Sequence, residues 1–126
     1  MNRVVHFEFD AENPDRAIKF YSEVFGWQIS NWGGPMNYWL ISTGPKEDAG
    51  IDGGMMLRKE RDKNFGSGAL NTIEVSSVDD YIKKIEASGG KAITPKMPIP
   101  SVGYMAYCKD TEGNIFGIMH NDPGAK

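Results

Sequence analysis

One histidine near the amino terminus is the side chain in this sequence best suited to acid–base or metal chemistry. His6 lies within the apolar-rich run from Val4 to Phe9, and Glu8 follows two positions later. In a β-strand these two side chains project from the same face, because strand side chains alternate. Histidine titrates near neutral pH and is also a common metal ligand. The pair is therefore an acid/base pair, part of a metal site, or a solvated ion pair.

Side chains of matching strand parity elsewhere are candidates to share a site with this pair. Thr72 and Glu74 alternate with apolar residues in the fifth predicted strand and would add polar contacts. Met55 and Met119 are predicted to lie on the same face as His6, where thioethers suit an adaptable apolar pocket; ordinary core packing is the alternative. The predicted ligand-binding residues are His6, Glu8, Met55, Thr72, Glu74 and Met119.

The composition is that of a soluble globular protein and argues against several classes of function. The 126 residues are 40% hydrophobic and 25% charged, with a formal net charge of −3. No basic surface for nucleic acid is therefore expected. A single cysteine, Cys108, cannot form an internal disulfide, which fits a reducing compartment. Because no signal-type or membrane-length apolar run occurs, we expect a cytoplasmic protein with no membrane partner.

Two predicted helices, each preceded by a strand, position the candidate side chains. Asn13 is a favourable N-cap, Pro14 suits the first helical position, and Gly26 suits a left-handed C-cap. The second helix is predicted to begin after Ser77 and to end at Gly89. Three β-prone runs follow each helix, so each half of the chain has a β-α-β-β-β pattern.

The chain repeats itself weakly at an offset of 64 residues, with matches at helix caps, core positions and one face of a strand. We therefore predict a single domain over 1–126, with repeat one at 1–58 and repeat two at 69–126. An α+β fold is expected, in which the two units form an eight-stranded, cupped mixed sheet with helices on the outer face and a pocket inside. The matching pairs are Asp15 with Asp79, Ile18 with Ile82, Lys19 with Lys83, Gly26 with Gly90, Ile29 with Ile93, Ile51 with Ile115, Gly53 with Gly117, and Met55 with Met119.

Five segments carry a resemblance to a known superfamily: 16–21 (RAIKFY), 25–27 (FGW), 51–55 (IDGGM), 95–100 (PKMPIP) and 109–114 (KDTEGN). Together they resemble the vicinal oxygen chelate (VOC) superfamily, which includes glyoxalase I (lactoylglutathione lyase), extradiol dioxygenases and bleomycin resistance proteins. The likeness covers essentially the whole chain and is strongest to single-domain glyoxalase/bleomycin resistance-like members. The resemblance implies the glyoxalase/bleomycin resistance fold and a homodimer whose sites can be completed across the interface.

The resemblance also implies a divalent metal site, of which this sequence fills one position in four. Metal enzymes of the family place one ligand on the first strand of each half and one on the last strand. His6 stands at the first of these positions, whereas the others fall on Leu70, Gly117 and Gly53, which offer no donor side chain. A shift of one or two residues would substitute Glu74, Thr72 or Asp52.

Two functions are consistent with this pattern. The first is metal-independent binding of a small apolar or aromatic molecule, with no cofactor. The alternative is a metal-dependent lyase or oxygenase of glyoxalase type, in which His6 is a ligand and Glu8 and Glu74 are non-standard partners. A cofactor-free enzyme that uses His6 and Glu8 as its catalytic pair lies between the two. The sequence leaves open whether the protein is an enzyme.

Overall fold

Two α helices, two short 3-10 helices and nine β-strands make up the regular structure of the described chain. The computed structural model describes residues 1–66 and 68–126, and for residue 64 the backbone alone. Parallel and antiparallel strand pairs both occur, so the predicted α+β class with mixed strand pairing is confirmed. None of the described helices is long and apolar enough to cross a membrane.

The strands and helices belong to two compact units. The N-terminal unit is His6–Ala69, and the C-terminal unit joins Met1–Val5 to Leu70–Lys126. The change of unit after residue 69 falls at the start of the predicted second repeat. The first five residues, predicted as part of repeat one, belong instead to the C-terminal unit. A single domain over 1–126 stays a prediction.

Backbone hydrogen bonds explain why the amino terminus belongs to the C-terminal unit. The amide N–H of Asn2 donates to the Glu74 carbonyl at 2.7 Å. The amide N–H of Glu74 donates in turn to the Arg3 carbonyl at 3.0 Å. Residues 2 and 3 therefore run alongside residue 74 and satisfy its main-chain polar groups.

The N-terminal unit contains the first helix and four strands. Its strands are hydrogen-bonded in the order β2-β3-β4-β1, with β1 parallel to β4 and the other pairs antiparallel. Two short 3-10 helices follow, at Arg58–Glu60 and Lys63–Phe65. The elements are β1 (Val4–Ala11, whose first two residues belong to the C-terminal unit), α1 (Pro14–Phe25), β2 (Gln28–Asn31), β3 (Tyr38–Ser42) and β4 (Asp52–Leu57).

The C-terminal unit follows the same plan with one strand added. Its strands run β5-β9-β8-β6, with β5 parallel to β9, and β7 also pairs with β8. The added β7 is the ninth strand, where eight strands were predicted. The elements are β5 (Leu70–Glu74), α2 (Val78–Ala87), β6 (Lys91–Ala92), β7 (Met97–Ile99), β8 (Gly103–Lys109) and β9 (Ile115–Asn121).

The strand register corrects the predicted orientation of Met55. In the parallel pair of β1 and β4, Phe9 lies beside Met55 and His6 lies beside Asp52. Neighbours in register share a face of the sheet, so Met55 lies on the opposite face from His6. Its side chain is 0% exposed in the core cluster with Ile41. The prediction that Met55 lies on the His6 face is wrong, because a one-residue change of register reverses every side chain of a strand.

The core of the C-terminal unit forms between its sheet and α2. Cys108 is fully buried there among Val75, Val78, Ala106 and Ile118. Burial raises the pKa of the Cys108 thiol to about 11, so the thiol stays protonated at neutral pH. Cys108 therefore acts as a small apolar core residue, in agreement with a structural role.

Two side chains cap the amino end of α2, and one of them comes from a distant strand. The Ser77 hydroxyl accepts the Asp80 amide N–H at 3.2 Å, as the sequence predicts for an N-cap. The Nδ1 atom of His120, in β9, accepts the Val78 amide N–H at 2.9 Å. Because Nδ1 accepts, the ring proton lies on Nε2. His120 thus ties α2 to the sheet through an otherwise unpaired helix-end donor.

Replacing His120 tests the worth of this second cap. We expect His120→Leu to lower the free energy of unfolding by about 1 kcal/mol, the usual cost of losing a helix cap. His120→Asn is the matched control, because its amide oxygen keeps an acceptor near the position of Nδ1. Urea unfolding of both variants measures the difference. Equal midpoints for His120→Leu and the unaltered protein would show that the cap adds no stability.

Candidate functional site

Three side chains on one face of the N-terminal sheet form a hydrogen-bonded trio. The Tyr38 hydroxyl donates to Glu8 Oε2 at 2.9 Å, and His6 Nε2 lies 3.1 Å from the same hydroxyl oxygen. His6 and Glu8 come from β1, whereas Tyr38 comes from β3, two strands away across β4. Glu8 is 7% exposed, so the solvated ion pair considered from the sequence is not formed. We call this surface the His6 face.

Gly54 makes the reach of Tyr38 possible. Gly54 lies in β4, beside Glu8 on one side and beside Leu40 on the other. A Cβ atom added to Gly54 would overlap the Tyr38 hydroxyl and ring. The tyrosine side chain therefore lies flat over a strand position that has no side chain. Glycine is required here by close approach rather than by an unusual backbone angle.

The hydrogen bonds of the trio fix the protonation pattern of His6. A tyrosine hydroxyl carries one proton, and that proton is donated to Glu8. The hydroxyl must then accept from His6 Nε2, which places the imidazole proton on Nε2. In this tautomer Nδ1 is the basic atom of the ring. The trio is therefore a short relay, in which the buried carboxylate orients a phenol and the phenol orients an imidazole.

Burial keeps His6 uncharged at neutral pH. Loss of solvent lowers the pKa of His6 below its ordinary value of 6.5, and the carboxylates of Glu8 and Asp52 only partly oppose this effect. A neutral, oriented imidazole can accept a proton from a bound molecule. The resulting imidazolium would be stabilised through Tyr38 by the nearby carboxylates. The chemistry available to the trio is general acid–base chemistry.

The donor set does not fit the metal site that the resemblance implies. Within the described chain, no three side chains of His, Cys, Asp or Glu are grouped so as to hold a metal ion. His6 Nε2 is engaged by Tyr38, and Gly53 faces Phe7 on the core side of the sheet. At the corresponding place in the C-terminal unit, Gly117 lies against Thr72 and supplies no side-chain donor.

The other predicted site residues lie on one face of the C-terminal sheet. Thr72 and Glu74 share this face with Met119, which lies beside Glu74 in the parallel pair of β5 and β9. The side-chain amide of Asn121 donates to Glu74 Oε2 at 2.8 Å. Thr72 is 7% exposed, whereas Glu74 and Met119 are half-buried. We call this surface the Glu74 face.

A row of three methionines crosses the Glu74 face. Met119 lies opposite Met105 in the pair of β8 and β9, and Met105 lies opposite Met97 in the pair of β7 and β8. All three side chains are half-buried. Directly opposed side chains in antiparallel strands are about 5 Å apart at Cβ, so neighbouring thioethers in the row can touch. The row forms a continuous apolar strip that ends at the Glu74 carboxylate.

Sequence reasoning brought together the residues of one strand but missed their partners on others. His6 and Glu8 do share a face, as do Thr72, Glu74 and Met119, whereas Met55 does not join His6. Tyr38 and the other two methionines of the row were not identified. A signal for Tyr38 was present in the Gly53–Gly54 pair, since a strand glycine marks a close approach. Strand pairing was needed to say which residue approaches.

The lowered pKa of His6 predicts a pH dependence of stability. The unfolded chain takes up a proton at His6 near pH 6.5, whereas the folded chain does so only at lower pH. Stability is therefore full above pH 6.5 and falls as pH drops through the folded-state pKa. Urea unfolding across this range, compared with His6→Gln, should show the loss only when His6 is present. An NMR titration that places the His6 pKa at or above 6.5 would contradict this expectation.

Removal of the bridging hydroxyl should destabilise the N-terminal unit. Tyr38→Phe deletes the hydrogen bonds of the hydroxyl to Glu8 and His6, and Gly54→Ala displaces the phenol. We expect each variant to lower the free energy of unfolding by about 1–3 kcal/mol, because a buried carboxylate loses a donor. Gly44→Ala is the matched control, since a Cβ there meets no atom within 4 Å. If Tyr38→Phe and Gly44→Ala have the same free energy of unfolding, the hydrogen bonds of the Tyr38 hydroxyl add no stability.

Comparisons with known structures agree with this fold. Methylmalonyl-CoA epimerase from Mycobacterium tuberculosis superposes with a TM-score of 0.66 at 15% identity, over 95% of this chain and 88% of that chain. Hypothetical protein BH1468 from Bacillus halodurans C-125 superposes with a TM-score of 0.73 at 13% identity, over 99% and 98% of the two chains. At these identities the likeness concerns the fold alone.

Comparisons of sequence identify the family. A glyoxylase-like domain-containing protein of Didymella fabae is 31% identical over 115 residues, which are 88% of each chain. CFP32 of Mycobacterium bovis, whose name proposes a glyoxylase, is 30% identical over 92% of this chain but only 43% of its own length. This chain thus spans less than half of that relative. A family model matches residues 3–118, and the chain belongs to the Glyoxalase/Bleomycin resistance protein/Dioxygenase superfamily.

Proposed function

We propose that this protein binds a small apolar or aromatic molecule without the metal used by the family's metal enzymes. The observation that carries the proposal is the methionine row of the Glu74 face, formed by Met97, Met105 and Met119. A binding site for a small molecule is mainly apolar, with a few polar groups that fix the orientation of the ligand. The Glu74 face has this composition.

The chemistry of the row favours an apolar ligand of adaptable shape. Thioether side chains are flexible and polarizable, and they make favourable contacts with aromatic rings. The row ends at Glu74, whose carboxylate is held by Asn121, and Thr72 lies on the same face. These polar groups would orient a ligand that also carries a hydroxyl or amine. The preferred ligand is therefore an uncharged or cationic molecule with an apolar or aromatic body.

We propose the His6 face of the N-terminal unit as a separate binding surface, chemically different from the Glu74 face of the C-terminal unit. His6 and Glu8 stay in the proposal as ligand contacts, now with Tyr38 between them. A neutral imidazole offers a hydrogen-bond acceptor, or a base if the bound molecule has an acidic proton. This is the feature through which binding would become catalysis without a cofactor. We place Met55 outside the proposed site, since it lies in the core.

Two further proposals concern the setting of the protein. We infer a homodimer from membership of a family in which single-module chains commonly pair. We infer a cytoplasmic location from the single buried cysteine, which suits a reducing compartment. The partner of the site is a small molecule, and the net charge of −3 disfavours a nucleic acid.

A ligand screen by NMR tests the proposed function. With a library of small apolar and aromatic compounds, we expect hits that shift the methyl signals of Met105 and Met119. Met105→Gln keeps the length of the side chain but makes it polar, so affinity for a hit should fall at least about fivefold. Met36→Gln is the matched control, because Met36 is 59% exposed in the loop before β3 and should leave affinity unchanged.

Metal titration separates this proposal from its alternative, the metal-dependent lyase or oxygenase. The native metal content of protein purified without chelator is measured first. Zinc, nickel, manganese and iron are then added, each in a separate titration. The proposal expects no stoichiometric metal and no effect of metal on ligand affinity. A stoichiometric divalent ion that is lost in His6→Gln would overturn it, as would the absence of any hit that shifts the methionine methyls.

A further inference from the structure

A groove separate from the His6 trio opens beside the first turns of α1. Its volume is about 670 Å³, within the range of small-molecule sites, and it is open to solvent. Every residue that lines it belongs to the N-terminal unit, and none of the trio is among them. The lining comes from β1, α1 and the segments after β4: Phe9, Asp10, Ala11, Glu12, Asn13, Arg16, Ala17, Phe20, Tyr21, Arg58, Gly68 and Ala69.

One side of the groove is aromatic. Phe9 and Tyr21 are stacked, with ring centroids 5.4 Å apart. Phe20 stands edge-on to Tyr21 at 5.1 Å, yet 53% of Phe20 is exposed. An aromatic ring held in place by a neighbour and left open to solvent presents a preformed surface for another ring. The groove therefore has a wall against which a planar apolar group can lie.

The other side of the groove is lined by charged side chains of both signs. Asp10 is held by two guanidinium groups, with Arg58 Nε at 2.7 Å and the buried Arg61 Nη1 at 3.0 Å. Glu12 adds a weaker attraction to Arg58. Arg16 takes part in none of the ion pairs found among the described residues. The groove lining thus holds two guanidinium groups and two carboxylates, and Arg16 is the guanidinium of the lining that lies outside these ion pairs.

We propose that this groove binds a small aromatic carboxylate. Arg16 and Phe20 are four positions apart on α1 and so project from the same side of the helix. A ring lying against Phe20 and Tyr21 would place its carboxylate beside the Arg16 guanidinium. The guanidinium is planar and matches a carboxylate through two parallel hydrogen bonds. The site is independent of those proposed on the Glu74 face and on the His6 face, because it shares no residue with either.

Charge and shape together select this ligand class over two others. An uncharged aromatic molecule would form no ion pair with Arg16. An aliphatic acid has no ring to stack against Phe20. The carboxylates of Asp10 and Glu12 add a selection against dianions, since a second negative charge would approach them. A monocarboxylate attached to one or two fused rings meets all of these conditions.

Binding of 2-naphthoate, compared with uncharged 2-naphthamide, tests the inference. Affinity and amide shifts are measured by NMR on the full chain. We expect 2-naphthoate to shift the backbone amide signals of α1 and to bind about tenfold more tightly than 2-naphthamide. Arg16→Gln should remove this preference, and Phe20→Leu should weaken 2-naphthoate at least about fivefold. Lys19→Gln is the matched control, because it removes a cation from the same helix outside the groove lining.

Several outcomes would overturn the inference. One is equal affinity for the acid and the amide, and another is an equal effect of Arg16→Gln and Lys19→Gln. Absence of binding to 2-naphthoate would also overturn it. Loss of binding in Tyr38→Phe but not in Arg16→Gln would move the probe to the His6 face. A self-association that Phe20→Leu abolishes would identify the occupant as a second copy of the chain.

Discussion

The hydroxyl of Tyr38 is the contact on which the chemistry of the N-terminal unit depends. A carboxylate that is withdrawn from water requires a donor, and Tyr38 supplies one to Glu8 from a strand two positions away in the sheet. Because its single proton goes to Glu8, the same hydroxyl determines which nitrogen of His6 carries a proton. Burial then keeps His6 neutral and available as a base. One hydrogen-bonding group therefore couples the stability of the N-terminal unit to the reactivity of His6.

Local chemistry explains why much of the fold could be predicted from the sequence. The Asn13 side chain accepts the Arg16 amide N–H, and Gly26 adopts a φ of 71° at the end of α1, as cap preferences predict. The two units share a strand order that matches the sequence repeat. The face of β4 was predicted wrongly because the repeat offset fixes positions along a strand only approximately. A glycine pair at Gly53–Gly54 carries no side chain from which parity can be judged.

From the sequence, only site residues that belong to the same strand could be grouped together. Alternation alone places Glu8 with His6, and Glu74 with Thr72, so these pairs were found. Tyr38 and the methionine row depend on which residues lie opposite one another in neighbouring strands, and that register results from the packing of the whole sheet. The groove beside α1 was missed for a related reason. Its walls come from residues about fifty positions apart, such as Arg16 and Ala69, and no motif links them.

The bare backbone at Gly54 also has a consequence for how this protein can change over generations. The space that a side chain at position 54 would enter is already filled by the Tyr38 ring. The two positions share one volume, so only one of them can be large. Drift at either position is therefore conditional on the other, and a smaller residue at 38 would have to precede a larger one at 54. Among related sequences, the sizes of the residues at positions 38 and 54 should vary in opposite directions. The sizes of the other residues of β3 should show no such correlation with position 54.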